Sequence, residues 1–412
     1  MTIHAAAEPA SRSKVLAICG GGNGAYTLAV VASRNFDGDV LWLRGSPEKA
    51  EHLRRVVFSD EGLRSTGVVA GRADRVRVVS SNPAEVIPQA DLVLISVPAF
   101  AHAAILDRIA PHLNDRAIVG TLPARSGFEF DVTRKVSGIR PRGGRRVFGL
   151  QTLPWSTRVD QTKQTVHVGA AKETVSMGSL PHADAPGIAM QLSTLLGTRI
   201  VPTPNFLNVT LGNPGQIIHP GLMYGWFAEW SGESFRDETI PRLYGGASDR
   251  TGEFVERLSD EVVATARAVE SRSDHRLDLS GVLPILDWLR LSYAARTADV
   301  TTVATCFRTG PIQARKVPVR ERAPGEFVPD FQYRYLREDV PYGLAVVKAI
   351  AGMANIDTPS VDAVIGWTQE KLGKRYLDGR ILQGADVDEL RIPQNHGVRT
   401  MSALVDWYLG WS

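Results

Sequence analysis

The 412-residue chain has almost no cysteine. Cys19 and Cys306 stand far apart, which excludes a disulfide framework and a thiolate metal cluster, and a cytoplasmic location is expected. Neither sign of charge is in excess: 47 basic residues face 44 acidic ones, a formal +3, and the two signs are interspersed. That balance points to neither nucleic acid nor an anionic membrane as a partner. Long hydrophobic runs are missing too. The N-terminal "MTIHAAAEPASRSK" lacks the apolar core of a secretory signal, and the longest apolar stretch, Ala90 to Leu106, is interrupted by Pro98 and His102. Residues 1–13 read as a disordered lead, and no metal site is indicated.

What remains is ordinary globular composition, 43% hydrophobic and 22% charged. The length favours two domains. Residues 14–201 alternate short β-branched runs with helical patterns, as in a parallel sheet flanked by helices. Strands are expected at Val15–Cys19, Val40–Leu43, Val76–Val79, Leu92–Val97, Ala117–Thr121 and Val147–Leu150. Residues 202–412 read as mainly helical. Thr358 and Pro359 supply an N-cap and first-turn proline ahead of a Val361, Val364, Ile365, Thr368, Leu372 face, and Phe254, Leu258, Val262 and Val269 form a second stripe. Residues 308–333 are aperiodic and proline-punctuated, a loop long enough to suggest function.

The first strand runs into "CGGGNGAYTLA", which fits G-x-G-x-x-A with Gly20, Gly22 and Ala25 in the three positions. The first glycine permits a tight turn, the second lets backbone approach a pyrophosphate, and the small third residue brings helix and strand together. The helix start that follows, through Asn23 and Gly24, offers free N–H groups to phosphate. The second expected strand ends in Arg44, Gly45 and Ser46, with no carboxylate before Glu48 to accept from a ribose 2′-hydroxyl. A cation and a hydroxyl there suit a 2′-phosphate, which favours NADP(H), with NAD(H) as the alternative.

Among nine histidines, His219 stands apart in "LGNPGQIIHPGLMYGWF", between an apolar pair and Pro220. It reads either as a general acid/base beside a nicotinamide or as a satisfied histidine in a helix seam. In "YRYLREDVPYG", Arg334 and Asp339 read either as an anion clamp with an imidazole-orienting carboxylate or as a surface ion-pair network.

These residues, together with "DLVLISVPAFAH", "LPARSGFEF", "QTLPWSTR" and "TPSVDAVIGWTQEKLGKRYL", make the chain resemble the opine dehydrogenase family, especially its octopine-dehydrogenase-like members, over nearly its whole length. The resemblance implies an α/β fold, an N-terminal Rossmann doubly wound parallel sheet followed by a mainly α-helical C-terminal domain, with the site between them. It implies NAD(P)H-dependent reductive condensation of an L-amino acid with a 2-keto acid, most simply pyruvate. His219 would be the catalytic acid/base, Asp339 its orienting partner and Arg334 the substrate carboxylate's holder, while Pro98 would join the cofactor-binding set. Arg125 stands where a neutral glutamine is expected in octopine-forming members, so a carboxylate-reading role is one expectation for it, and a place at cofactor phosphate or solvent is the other. Trp155 and Tyr224 are expected along the amino-acid pocket, and the molecule is expected to be a monomer or homodimer. A simple 2-keto or 3-hydroxy acid reductase and a non-catalytic dinucleotide sensor are the competing readings.

Overall fold

The computed structural model describes residues 13–160 and 165–412. Apart from Ser13, the expected lead over residues 1–13 lies outside the described residues. An eight-stranded sheet forms the N-terminal body. Its strands in chain order are β1 (Lys14–Gly20), β2 (Gly38–Leu43), β3 (Val76–Ser80), β4 (Leu92–Ser96), β5 (Ile118–Thr121), β6 (Val147–Leu150), β7 (Thr174–Leu180) and β8 (Arg199–Pro202). Across the sheet the order is β8-β7-β6-β5-β4-β1-β2-β3. Strands β1 to β6 pair in parallel, and the order of winding reverses at β1, with β2 and β3 on one side and β4 to β6 on the other. A doubly wound sheet places its ligand crevice at that switch, outside the carboxyl end of β1. Five consecutive residues of β1, Val15 to Cys19, are buried, as both faces of such a sheet require.

All six expected strands are present within two residues of their expected ends. Two more follow, and β7 runs antiparallel to β6. β7 reads TVSMGSL, too polar to announce itself. Its polar groups are satisfied locally: the buried Ser179 hydroxyl donates to the Pro181 carbonyl at 2.9 Å.

The helices that matter for the site are α1 (Asn23–Asn35), α2 (Pro47–Val57), α3 (Pro214–Phe227), α4 (Asp249–Arg272), α5 (Ile285–Tyr293), α6 (Pro359–Leu372) and α7 (Met401–Leu409). In α4 the expected stripe is buried at Leu258, Val262 and Val269. In α6 Val361, Val364, Ile365 and Thr368 are buried as expected, but Thr358 does not cap the helix with its side chain. The Glu261 carboxylate of α4 accepts from the N–H groups of Ser360 and Val361 at 2.7 and 2.9 Å instead. A charge from a neighbouring helix thereby does the capping, a tertiary effect that a local motif does not contain. The stretch 308–333 also departs from expectation: Val319–Ala323 and Glu326–Pro329 pair as an antiparallel hairpin around Pro324 and Gly325. Among the described residues no helix is long and apolar enough to cross a membrane.

Candidate active site

β1 ends at Gly20, where φ is +145° and an added Cβ would lie 2.2 Å from the Ser96 carbonyl oxygen of β4. Only glycine lets the turn pass that close. α1 then starts at Gly22 with no side-chain cap, and a Cβ on Gly22 would meet nothing within 4 Å. A helix start with unsatisfied N–H groups facing open space fits a dinucleotide's pyrophosphate. Ala25 is fully buried beneath it, and Gly22, Asn23, Gly24, Ser96, Val97 and Pro98 line one end of a cleft of about 300 Å³.

Arg44 follows β2 and folds back over this loop. Its guanidinium lies against Gly21, donates to the Gly20 carbonyl at 2.9 Å and sits 5.9 Å from the Tyr26 ring centroid. Ser46 caps α2, its hydroxyl accepting from the Lys49 N–H at 3.4 Å. Both residues therefore flank the loop at the end of β2.

The other end of the cleft is built from α3 and from the turn at residues 334–339. α3 starts at the Asn213 cap, whose Oδ1 accepts from the Gly215 N–H at 2.9 Å. His219 follows on that helix, its ring stacked on Tyr335 with centroids 4.0 Å apart. His219 Nδ1 meets Asp339 Oδ2 at 2.7 Å, and Asp339 is fully buried. His219 and Asp339 thus meet in the interior of the fold and not on its surface.

Sequence reasoning did not single out Glu338, yet it organises the site. Its fully buried carboxylate accepts from Arg334 Nε at 2.7 Å, from Arg125 Nε at 3.2 Å and from the Ala99 N–H at 3.0 Å. Its neighbour Asp339 pairs through Oδ1 with Arg125 Nη1 at 2.7 Å. The same Nη1 donates to Asn213 Oδ1 at 3.1 Å. Arg125 therefore ties both carboxylates to the start of the helix that carries His219, and an added Cβ on Gly215 would lie 2.2 Å from this nitrogen. Solvent is corrected as the place of Arg125: its side chain is 8% exposed, with Nε on Glu338 and Nη1 on Asp339 and Asn213. Arg334 differs, since 42% of its side chain remains exposed beside Glu338.

Two guanidinium groups and two carboxylates leave this cluster neutral before His219 is counted, and burial is then the largest influence on the imidazole. Burial lowers the His219 pKa and outweighs the pull of Asp339, with Arg125 and Arg315 pushing the same way as burial. Burial opposes ionisation of Asp339, but Arg125 and His219 outweigh it and hold the carboxyl below its usual range. Glu338 is held low in the same way by Arg125 and Arg334 against its burial. These directions favour a neutral imidazole on an ionised carboxylate, an arrangement able to accept a proton at Nε2 and return it.

His219, Arg334, Tyr335 and Arg125 line the same cleft as the glycine loop. Trp155, buried at the start of the strand Trp155–Asp160, lines it as well. Tyr224 does not. One turn beyond His219 on α3, its ring stacks on Phe254 at 4.8 Å and meets Trp367 edge-on at 5.6 Å, packing among helices. The 3.6-residue period of α3 turns that position toward α4 and α6, so the pocket expectation for Tyr224 is corrected.

Residues 202–372 match the family model for the alpha-helical domain of NAD/NADP octopine/nopaline dehydrogenase. The chain is 32% identical over 403 residues to an opine dehydrogenase of Haliotis discus hannai, covering 94% of this chain and 98% of the relative. It is 29% identical to a tauropine dehydrogenase of Arabella iricolor, over 95% and 100% of the two chains. A solved structure of octopine dehydrogenase with NADH and L-arginine matches with a TM-score of 0.80 at 27% identity, covering 95% of this chain and 98% of that one. Sequence, fold and cleft agree, and the chain belongs to the opine dehydrogenase family, NAD(P)-dependent oxidoreductases acting on CH–NH donors.

Proposed function

We propose that this enzyme joins the amino group of an L-amino acid to a 2-keto acid, pyruvate in the simplest case, with NADPH preferred over NADH, and that it works in the cytoplasm. The observation that carries the reading is the shared cleft: the glycine loop opens at one end and the His219–Asp339 pair at the other. Residues 14–201 are taken as the cofactor domain and 202–412 as the helical domain, since the last strand of the sheet ends at Pro202.

Gly20, Gly22, Asn23, Gly24 and Ala25 hold the pyrophosphate against the start of α1, with Pro98 closing the crevice beside them. Arg44 and Ser46 would hold the 2′-phosphate at the end of β2. When bound, the reduced nicotinamide supplies the hydride. The protein's own residues do the rest. The exposed edge of Arg334 holds the keto acid's carboxylate, and Glu338 fixes that guanidinium from behind. His219, charged by a proton from the incoming ammonium, gives it to the carbinolamine oxygen so that water leaves and an iminium, the protonated imine, remains. Asp339 keeps the Nδ1 proton in place, directs Nε2 at the substrate and stabilises the imidazolium while it lasts. In the reverse direction the neutral imidazole takes that proton. Trp155 forms part of the wall that keeps bulk water from the imine.

The test follows NADPH and NADH absorbance with pyruvate alone and with pyruvate plus individual L-amino acids. Oxidation requiring both keto acid and amine is expected, faster with NADPH. Oxidation by keto acid alone would place the enzyme with simple reductases.

A further inference from the structure

The loop 308–333 delivers a second guanidinium to the cleft. Arg315 lies in the cleft wall, and among the described residues no acidic side chain pairs with it. Its electrostatic neighbours are Tyr335, Tyr244, Tyr333 and Arg334. The hydroxyl of Tyr335, another residue of the cleft lining, is buried with no hydrogen-bond partner among the described residues. An unpaired guanidinium and an unsatisfied buried hydroxyl on one wall are costly for a protein to keep without a ligand. A single carboxylate in the cleft offers acceptors to both, and Tyr335 stacks on the ring of His219, which lines the cleft together with Arg315.

The reaction proposed above makes a secondary amine with a carboxylate on each flanking carbon, so its site needs two anion holders side by side. Arg334 is one. Arg125, the other arginine nearby, is committed to Glu338 and Asp339. The remaining lining fixes what the amine's side chain can be. It includes Trp288, Leu289, Tyr293, Phe307 and Ile312, and the charged lining residues are Arg125, Lys172, Arg315 and Arg334, with no aspartate or glutamate. Lys172 donates to the Leu153 carbonyl at 2.7 Å and faces the Tyr293 ring. A guanidinium or ammonium side chain entering this cleft would find cations and no carboxylate among the lining residues.

We infer that Arg315, with the Tyr335 hydroxyl, holds the carboxylate of the amine substrate, and that this substrate is an L-amino acid with an apolar, uncharged side chain. The inference rests on the condensation reading above and is tested separately from it. With wild-type enzyme and saturating pyruvate, kcat/KM is compared for L-leucine, L-methionine, L-phenylalanine, L-arginine, L-glutamate and isoamylamine, which is leucine without its carboxylate. The best apolar amino acid should exceed L-arginine and L-glutamate by about tenfold or more, and L-leucine should exceed isoamylamine by roughly 10- to 100-fold, as expected for a charge-assisted contact. Arg315→Gln should raise KM for L-leucine by a similar factor, move KM for pyruvate by less than about threefold, and erase most of the leucine-to-isoamylamine ratio. Circular dichroism melting establishes that the variant is folded, and the wild-type comparison stands without it. Preference for L-arginine or L-glutamate overturns the side-chain assignment, and an unchanged leucine-to-isoamylamine ratio in the variant overturns the role of Arg315. In either case amine-dependent oxidation would leave the condensation reading standing, whereas oxidation by pyruvate alone would remove that reading itself.

Discussion

Replacing Arg125 by methionine keeps the side chain's length and removes its charge and donors. Two carboxylates, each fully buried and adjacent in the chain, then lose the cation between them. Arg334 still compensates Glu338 from the cleft side, but Asp339 is left facing a neutral imidazole. Removing one partner of a buried pair typically costs about 3–5 kcal/mol, far more than a surface pair contributes, because the stranded charge stays desolvated. The lost bond from Arg125 to the Asn213 cap loosens the start of α3 as well. The cost should appear as a lower urea midpoint, larger at pH 8 than at pH 5, since at low pH one carboxylate can take up a proton. Arg125 also pushes the His219 pKa down, and its removal leaves Asp339 free to favour the imidazolium, so the apparent pKa of turnover should rise. KM for the keto acid should change little. A variant with wild-type midpoint and pH profile but a weakened substrate KM would refute the reasoning, because that is the behaviour of an arginine that reads substrate.

Oxidation of the opine should rise with pH through an apparent pKa below the 6.5 of free histidine, because the neutral imidazole is the base; Asp339→Asn should move that pKa further down and lower kcat/KM by about 10² to 10⁴. An unmoved profile would count against the pair. Arg44→Ala should weaken NADPH binding by roughly 10- to 100-fold and NADH binding by less than about threefold, measured by fluorescence titration; equal losses would mean that Arg44 only braces the loop. Glu129, enclosed beside Thr210 and Tyr408, has its pKa pushed from 4.5 to about 7, by burial first and against the hydrogen bonds from those two hydroxyls. The native state then holds a proton that the unfolded chain has lost, so this group's stabilisation is present below 4.5 and falls away as pH rises to about 7. Glu129→Gln should therefore gain stability relative to wild type on going from pH 5 to pH 8, by up to roughly 3 kcal/mol in chemical denaturation, and a constant gap would show that Glu129 is ionised throughout.

The parts of the molecule that were legible in the sequence are those whose reason is local. Gly20 and Gly22 announce a turn and an open approach because the backbone there demands it within five residues. β1 to β6 are visible because buried parallel strands need unbroken apolar runs. His219, Arg334 and Asp339 stood out by residue type and neighbours, and the fold brings all three to one place. What escaped depends on contacts distant in sequence. Glu338 sits beside Asp339 in a quoted motif, but its value comes from Arg125, 213 positions away. Arg125 was read from its residue type alone, since its carboxylate partners are distant in the chain. Tyr224 looked like pocket lining because period alone does not say which side of α3 faces the cleft. Arg315 was hidden in a stretch whose length suggested function without naming a residue.

The central claim is that His219 moves the proton in a condensation performed in this cleft. It is tested most directly by His219→Ala, assayed for steady-state turnover with keto acid and amino acid and, separately, for cofactor binding by fluorescence. The account predicts turnover lowered by about 10² to 10⁴ with cofactor affinity within a few-fold of wild type. Full turnover in the variant would contradict it.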